Sequence, residues 1–225
     1  EREKAFLKDA EYILGRTFWD EYVTGLLNPE RKYYVVDEIL RCPFYNLRWD
    51  KQRFTEGRIK IVSTISGGIY KGYEVVLKTA SLLKRYSGIG FEWSIAGYDG
   101  QDKWVKIAEK LTNIKSKEVN VVLKGLLDAP ELSELLVDSD LYLQVSHIEN
   151  SPNSVCEAML VGMPVIASFS GGTASLLDNG LEGILVQDGD PYVLAGAVVE
   201  LSKRFDLAKK YGENARRRAL ARHNR

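Results

Sequence analysis

Residues that build small fixed chemical centres are scarce in this sequence. It holds two cysteines, two histidines and two methionines in 225 residues. Cys42 and Cys156 stand far apart, with no Cys-x-x-Cys and no Cys/His cluster. A disulfide framework or zinc ribbon is therefore excluded, and two reduced thiols in a cytoplasmic protein is the reading. No His-Glu-x-x-His occurs, so no histidine–metal site is expected. No apolar run approaches the ~18 residues of a membrane-spanning helix, and no signal-peptide pattern opens the chain. Internal repeats and low-complexity tracts are missing as well. Neither sign of charge is in excess, because 31 basic side chains meet 31 acidic ones. That balance weighs against a dedicated nucleic-acid binder.

What is present is an ordinary globular composition, 45% hydrophobic and 28% charged. It is enough for one large domain, or one domain with an appendage, to bury a core without staples. The chain begins with Glu1 inside a charged helical pattern (EREKAFLKDAEYIL), which reads as the cut end of a longer protein. The zero net charge also conceals a split. Residues 125–202 contain no lysine or arginine and twelve acidic residues, so the others carry 31 basic and 19 acidic groups.

Residues 1–57 differ from the rest. Two helical patterns flank Gly15-Arg16-Thr17, with Thr17 a plausible cap and Phe18, Tyr22 and Leu26 at helical spacing behind it. Asn28-Pro29 stops that helix. Residues 33–54 are aromatic-rich and irregular, a stretch suited to packing on something else. From Arg58 onward a regular rhythm sets in. Strands are expected at 59–64, 91–96, 119–123, 141–145, 164–168 and 183–186. Helices are expected at 73–86, 101–111, 131–137, 152–161, 173–177, 191–203 and 207–221. Such alternation implies an α/β fold, a Rossmann-like parallel sheet with helices on both faces over residues 58–225, preceded by a short helical and irregular segment. Ligands of such sheets bind at the carboxyl ends of the strands.

Two loops at those ends draw attention. The first is Ser66-Gly67-Gly68-Ile69-Tyr70-Lys71-Gly72, glycines and a lysine before a helix. Glycines let backbone amides approach a ligand, and a helix start favours anions. It is neither Gly-x-Gly-x-x-Gly nor a P-loop, since Tyr73-Glu74 follows where Lys-Ser/Thr is needed. A plain strand–helix turn is an equal reading.

The second loop runs from Ser146 to Glu157, with Glu149 in the loop, Ser151 and Pro152 suited to open a helix, and Glu157 in its second turn. The first helical amides would hold an anion and the two carboxylates hydroxyl groups, which describes a sugar–diphosphate–nucleoside. The bland alternative is a capping box from Ser154 to Glu157, with Glu149 a solvated loop carboxylate.

From Arg58 onward the sequence is similar to the carboxyl-terminal, nucleotide-sugar-binding half of the family-4 retaining glycosyltransferases of the two-domain GT-B type. The residues that carry the likeness are Glu149-Asn150-Ser151-Pro152-Asn153-Ser154-Val155-Cys156-Glu157, two glutamates with seven residues between them. Ala158-Met159, Gly162-Met163-Pro164-Val165 and Gly171-Gly172 follow. About three-quarters of the chain is covered. The front segment is similar to the stretch before this domain in some bacterial members, through Gly15-Arg16-Thr17-Phe18-Trp19-Asp20, Asp37-Glu38-Ile39-Leu40-Arg41 and Phe44-Tyr45.

The resemblance implies transfer, with retention, of a sugar from a nucleotide-diphosphate sugar to an acceptor hydroxyl. The setting it implies is bacterial polysaccharide or glycolipid synthesis, with residues 1–57 a remnant of the acceptor domain and linker. It places Glu149 by the donor sugar and Glu157 on the ribose hydroxyls. Gly67, Gly68, Asn150, Ser151, Pro152, Asn153, Ser154 and Val155 fall around the donor, and Lys71 on the leaving diphosphate. Glu149 and Lys71 are the catalytic candidates. The family's loop commonly carries an arginine where this chain has Ser66. No metal or other cofactor is implied. Asp138-Ser139-Asp140 spells a metal-binding pattern but precedes a strand, and is read as a helix end.

Further expectations attach to single residues. His147 is read as a passive loop side chain, with a catalytic or sugar-contacting role as the alternative, and Gly171-Gly172 as a turn opening a helix, with a sugar-side contact as the alternative. Arg16 and Asp20 are read as a structural pair or cap, with a place in the donor cleft as the alternative. The run Arg216-Arg217-Arg218, with Arg222 and Arg225, is read as a solvated last helix. Contact with the inner face of a membrane, where lipid-linked acceptors lie, is its alternative. Competing readings of the whole chain are a nucleotide-sugar epimerase of the same fold and a non-catalytic nucleotide-sugar-binding module.

Overall fold

The computed structural model describes residues 2–224. The chain opens with α1 (Arg2–Asp9), β1 (Tyr12–Gly15), α2 (Phe18–Leu27) and β2 (Lys32–Val35). β1 and β2 pair in parallel, Tyr12 opposite Lys32 through Gly15 opposite Val35, so this stretch is a small β-α-β unit. The expected first helix is thereby cut short and the irregular stretch begins as a strand. The cause lies outside the helix: the Asn28 amide donates to the carbonyls of Leu7 and Ala10 and ends α1 there. Thr17 does cap α2, in a capping box with Asp20.

The main sheet has six strands, all parallel, in the order β5-β4-β3-β6-β7-β8. They are β3 (Ile59–Thr64), β4 (Phe91–Ala96), β5 (Val121–Gly125), β6 (Leu141–Gln144), β7 (Val165–Phe169) and β8 (Gly183–Gln187). Helices α4 (Tyr73–Leu82), α5 (Lys103–Thr112) and α8 (Pro191–Ser202) cover one face. Helices α3 (Pro43–Asn46), α6 (Ala129–Asp138) and α7 (Asn153–Val161) cover the other, and α9 (Phe205–Arg222) contributes to both cores. Two-sided cover is why the central strands read as unbroken apolar runs rather than alternating ones, β6 being buried along its whole length. Start signals act as chemistry dictates: Asp128 and Glu131 box the start of α6, and Asp190 caps α8.

Departures from expectation are local. β5 begins two residues late because Asn120 adopts a left-handed conformation (φ 58°) at the end of a short 3₁₀ turn and cannot extend. The helix expected at 173–177 is one 3₁₀ turn, Thr173–Ser175. The expected helix at 73–86 loosens into a wider π turn at Leu83–Ser87 and stops at Gly88. α7 starts after Pro152 with no side-chain cap, so neither Ser151 nor a Ser154–Glu157 box closes its start. Leu40, Phe44 and Trp49 pack into the second core: Phe44 is fully buried and the Trp49 indole donates to the Ser139 carbonyl at 2.8 Å.

Candidate functional site

Strand order reverses between β3 and β6, where the chain turns from building one half of the sheet to the other. Loops diverge at such a switch point and leave a crevice at the strand ends. Here the two loops are the glycine-rich 65–72 and the glutamate-bearing 145–152. They are tied together, since the His147 amide donates to the Tyr70 carbonyl at 2.8 Å. Gly72 permits this approach: its φ is 73°, and a Cβ there would lie 2.1 Å from the Val145 carbonyl oxygen. Gly171 does the same for the next loop, where a Cβ would lie 2.0 Å from the Glu149 carbonyl oxygen. The Gly172 amide donates to that oxygen at 2.8 Å. The Gly171-Gly172 turn thus fixes the backbone of Glu149.

A cavity of about 310 Å³ opens there, lined by Arg16, Thr64, Ser66, Lys71, Glu149 and residues 151–154. It lies at the start of α7, where the amides of Asn153 and Ser154, in the first turn, have no acceptor within the helix. The amide of Val155 is taken by the Pro152 carbonyl at 3.0 Å, and the side chain is fully buried. The structure therefore offers the amides of residues 153 and 154, and not that of Val155, to a ligand. Tyr142 of β6 is fully buried beside the Ser154 and Thr64 side chains. Burial pushes this phenol up to about 12, opposed by the Ser154 and Thr64 side chains that line the cavity.

Three cation–carboxylate pairs surround this place. Lys71 reaches Glu149 at 2.6 Å, with both side chains largely buried. Arg41 grips Glu157 with two hydrogen bonds of 2.8 Å. Arg16 pairs with Glu38 and also donates to the Asn153 amide oxygen at 3.2 Å. Burial raises the pKa of Glu157, and the hydrogen bonds and charge of Arg41 oppose the rise. Charges therefore balance pairwise at the carboxyl edge of an otherwise acidic stretch of chain.

The other candidates fall as follows. Gly67 and Gly68 hold left-handed conformations in the loop, with open space above Gly67. Asn150 does not present its amide to the cavity: it accepts from the Thr17 hydroxyl and donates to Asp20 at 2.7 Å, clamping the front segment. His147 has partners after all, since its ring bridges Glu74 at 2.5 Å and Asp188 at 2.9 Å. Burial disfavours its charge, but the two carboxylates outweigh that and raise its pKa. Three arginines of the last helix are not simply solvated, while Arg217 is exposed as expected and Arg225 lies outside the described residues. Arg218 pairs with Asp178 and Glu182, Arg222 with Asp37, and Arg216 donates to the carbonyls of Leu47 and Tyr45. Asp138-Ser139-Asp140 closes α6, with Asp138 on Lys60 and Asp140 on Lys51. No cluster able to hold a metal ion occurs among the described residues. No motif assigned a role to Arg41 or Glu38; both stand in the Asp37–Arg41 stretch, whose only signal was its likeness to relatives.

The parallel six-stranded sheet with helices on both faces and a crevice at its switch point shares its fold with solved GT-B glycosyltransferases. The model of "Glycosyl transferases group 1" matches residues 48–218, and the chain belongs to that family. One relative is the amylovoran biosynthesis glycosyltransferase AmsK of Erwinia amylovora, 30% identical over 59% of this chain and 33% of the relative. Another is the putative colanic acid biosynthesis glycosyltransferase WcaL of Salmonella typhimurium, 27% identical over 68% of this chain and 40% of the relative. The chain thus spans well under half the length of these curated relatives. Among solved structures, a Staphylococcus aureus TarM mutant crystallised with fondaparinux, α-GlcNAc-glycerol and UDP superposes with a TM-score of 0.79 at 18% identity. That match covers 99% of this chain and 43% of TarM.

Proposed function

We propose that this chain is the donor-binding part of a retaining glycosyltransferase that moves a sugar from a nucleotide-diphosphate sugar to a carbohydrate or lipid-linked acceptor hydroxyl in polysaccharide or glycolipid synthesis. The observation that carries the reading is the pairing of Lys71 with Glu149 at the open start of α7, eight positions before the buried Glu157. The names of the relatives, in amylovoran and colanic acid biosynthesis, and the UDP bound to TarM agree with it.

In this reading the diphosphate lies on the amides of Asn153 and Ser154 and takes Lys71 from Glu149. Glu149 is then free to accept hydroxyl groups of the sugar, and Glu157 those of the ribose. The acceptor hydroxyl oxygen bonds to the sugar's anomeric carbon on the face that the phosphate leaves, and its proton passes to the departing phosphate oxygen. The bond from the sugar's anomeric carbon to the phosphate oxygen breaks, and its electron pair leaves on the diphosphate. Fixed donors aimed at that developing charge lower the barrier without reorganising. Lys71 and the helix amides supply this charge in place of a metal ion. The acceptor groove belongs to the rest of the transferase, so the 225-residue chain alone binds donor without transferring it. Action at the inner face of the membrane, on the cytoplasmic side, is part of the same proposal.

Titration of the chain with UDP and with GDP tests this. Lys71→Ala is expected to weaken nucleotide binding by at least about tenfold, the scale of one charged hydrogen bond, and more than any other single basic substitution. Glu157→Ala also weakens it, and EDTA changes nothing. If neither nucleotide binds at millimolar concentration and Glu157→Ala has no effect, the donor-site reading fails.

A further inference from the structure

One lysine is a poor match for a diphosphate, which carries at least two negative charges at neutral pH. Ser66, in the cavity wall beside Lys71, adds none. The second cation in that wall comes from elsewhere in the chain: Arg16. We infer that Arg16, from the front segment, is a second diphosphate-binding cation of the donor site.

This rests on the donor-site reading above and follows from four observations. Arg16 lines the same cavity as Ser66, Lys71 and Glu149. Its guanidinium stands 3.2 Å from the side-chain oxygen of Asn153, the first residue of α7, whose backbone amide has no acceptor within the helix. Its backbone is pinned, as the amide donates to Asp20 at 3.0 Å and the carbonyl accepts from Arg222. The adjoining Thr17 hydroxyl donates to Asn150, next to Glu149. There is no room for this docking to slip: a Cβ on Gly172 would meet the Thr17 hydroxyl oxygen at 2.5 Å.

Glu38, nearly half exposed, pairs with Arg16 as Glu149 pairs with Lys71. Each carboxylate screens a cation and yields it to the phosphates when the nucleotide enters. A planar guanidinium suits bidentate phosphate contact. The donor site is then built jointly by the front segment and the large sheet, and Ser66 needs no charge of its own.

Calorimetric titration of the chain with UDP, GDP and inorganic pyrophosphate tests this, with uridine and guanosine as phosphate-free probes. Arg16→Gln is expected to weaken UDP or GDP, and pyrophosphate, by about ten- to a hundredfold while leaving the nucleosides unchanged. Arg16→Lys should keep most of the affinity. Adding Ser66→Arg to Arg16→Gln should restore at least part of it. Circular dichroism and melting of each variant confirm the fold. Unchanged diphosphate binding by Arg16→Gln overturns the inference while Lys71→Ala still upholds the donor site. Equal loss of nucleoside and diphosphate also overturns it, because it marks a structural role. Wild-type protein that binds no diphosphate at all ends both.

Discussion

Asp140 shows how far a residue's role can stand from its sequence motif. It completes an Asp-Ser-Asp pattern, yet it is fully buried and accepts four hydrogen bonds. One oxygen takes Lys51 at 2.7 Å and the Thr55 amide and hydroxyl at 3.1 Å, and the other takes the Lys60 amide at 2.8 Å. It joins the linker before the large sheet to the start of β3. Removing a buried partner strands the others without water, so Asp140→Ala is expected to destabilise by about 3 kcal/mol or more, roughly 6–12 °C in Tm for a chain of this size. Thermal melting checks it, and an unchanged Tm would contradict the buried network. By contrast Glu149, Glu157 and Lys71 were legible as candidates from their spacing and family pattern. Their partners were not, because Arg41 and Arg16 lie more than a hundred positions from the α7 residues they touch.

Among the elements, two contacts decide how helices sit on the sheet. Gly212 of α9 lies against Gly162 at the end of α7, and a Cβ on it would meet the Gly162 carbonyl oxygen at 2.1 Å. Gly212→Ala forces the helices apart and is expected to destabilise by about 1–3 kcal/mol, read as a lower urea midpoint with an unchanged slope. The other contact is His147, which ties the loop after β6 to Glu74 at the start of α4 and to Asp188 after β8. Its pKa is raised in the folded protein. The stability it adds is therefore fully present below its unfolded value of about 6.5 and is lost as pH rises through the higher folded value. The Tm gap between wild type and His147→Gln should be wide at pH 5.5 and close by pH 8.5; a gap that widens with pH would refute the assignment. The main strands and helices were legible because two-sided burial leaves unmistakable apolar runs. β1 and β2 were not: their burial is slight, and β1 continues a helical-looking pattern that Asn28 interrupts from a distance.

Over the whole molecule, α9 works as a clasp. Arg222 pairs with Asp37 and donates to the Ser175 and Arg16 carbonyls. Arg216 reaches the carbonyls of Tyr45 and Leu47, and the His223 carbonyl accepts from Tyr45. The last helix thereby holds residues 37–47 against the sheet and sets the height of Arg16 over the cavity. Arg222→Ala is expected to raise amide hydrogen exchange in residues 36–46 while the six strands keep their protection, as mass spectrometry can resolve. Uniform change across the chain would mean that the clasp is only part of the global core. The charge split takes on meaning here. The chain's one long cation-free stretch, residues 125–202, carries both glutamates of the site, and every cation they meet comes from residues 16–71.

Sequence alone determined the α/β alternation, the Thr17 cap, the two loops that matter and the family, because each depends on local chemistry: apolar period, turn residues and short motifs. Tertiary structure decided which carboxylate meets which cation, that Asn150 and the Val155 amide are already occupied, and that an arginine from the front segment stands in the cavity wall. Those are contacts between chain segments far apart in sequence. Their distances are fixed by how the sheet switches direction and how α9 folds back, and no local pattern carries that information.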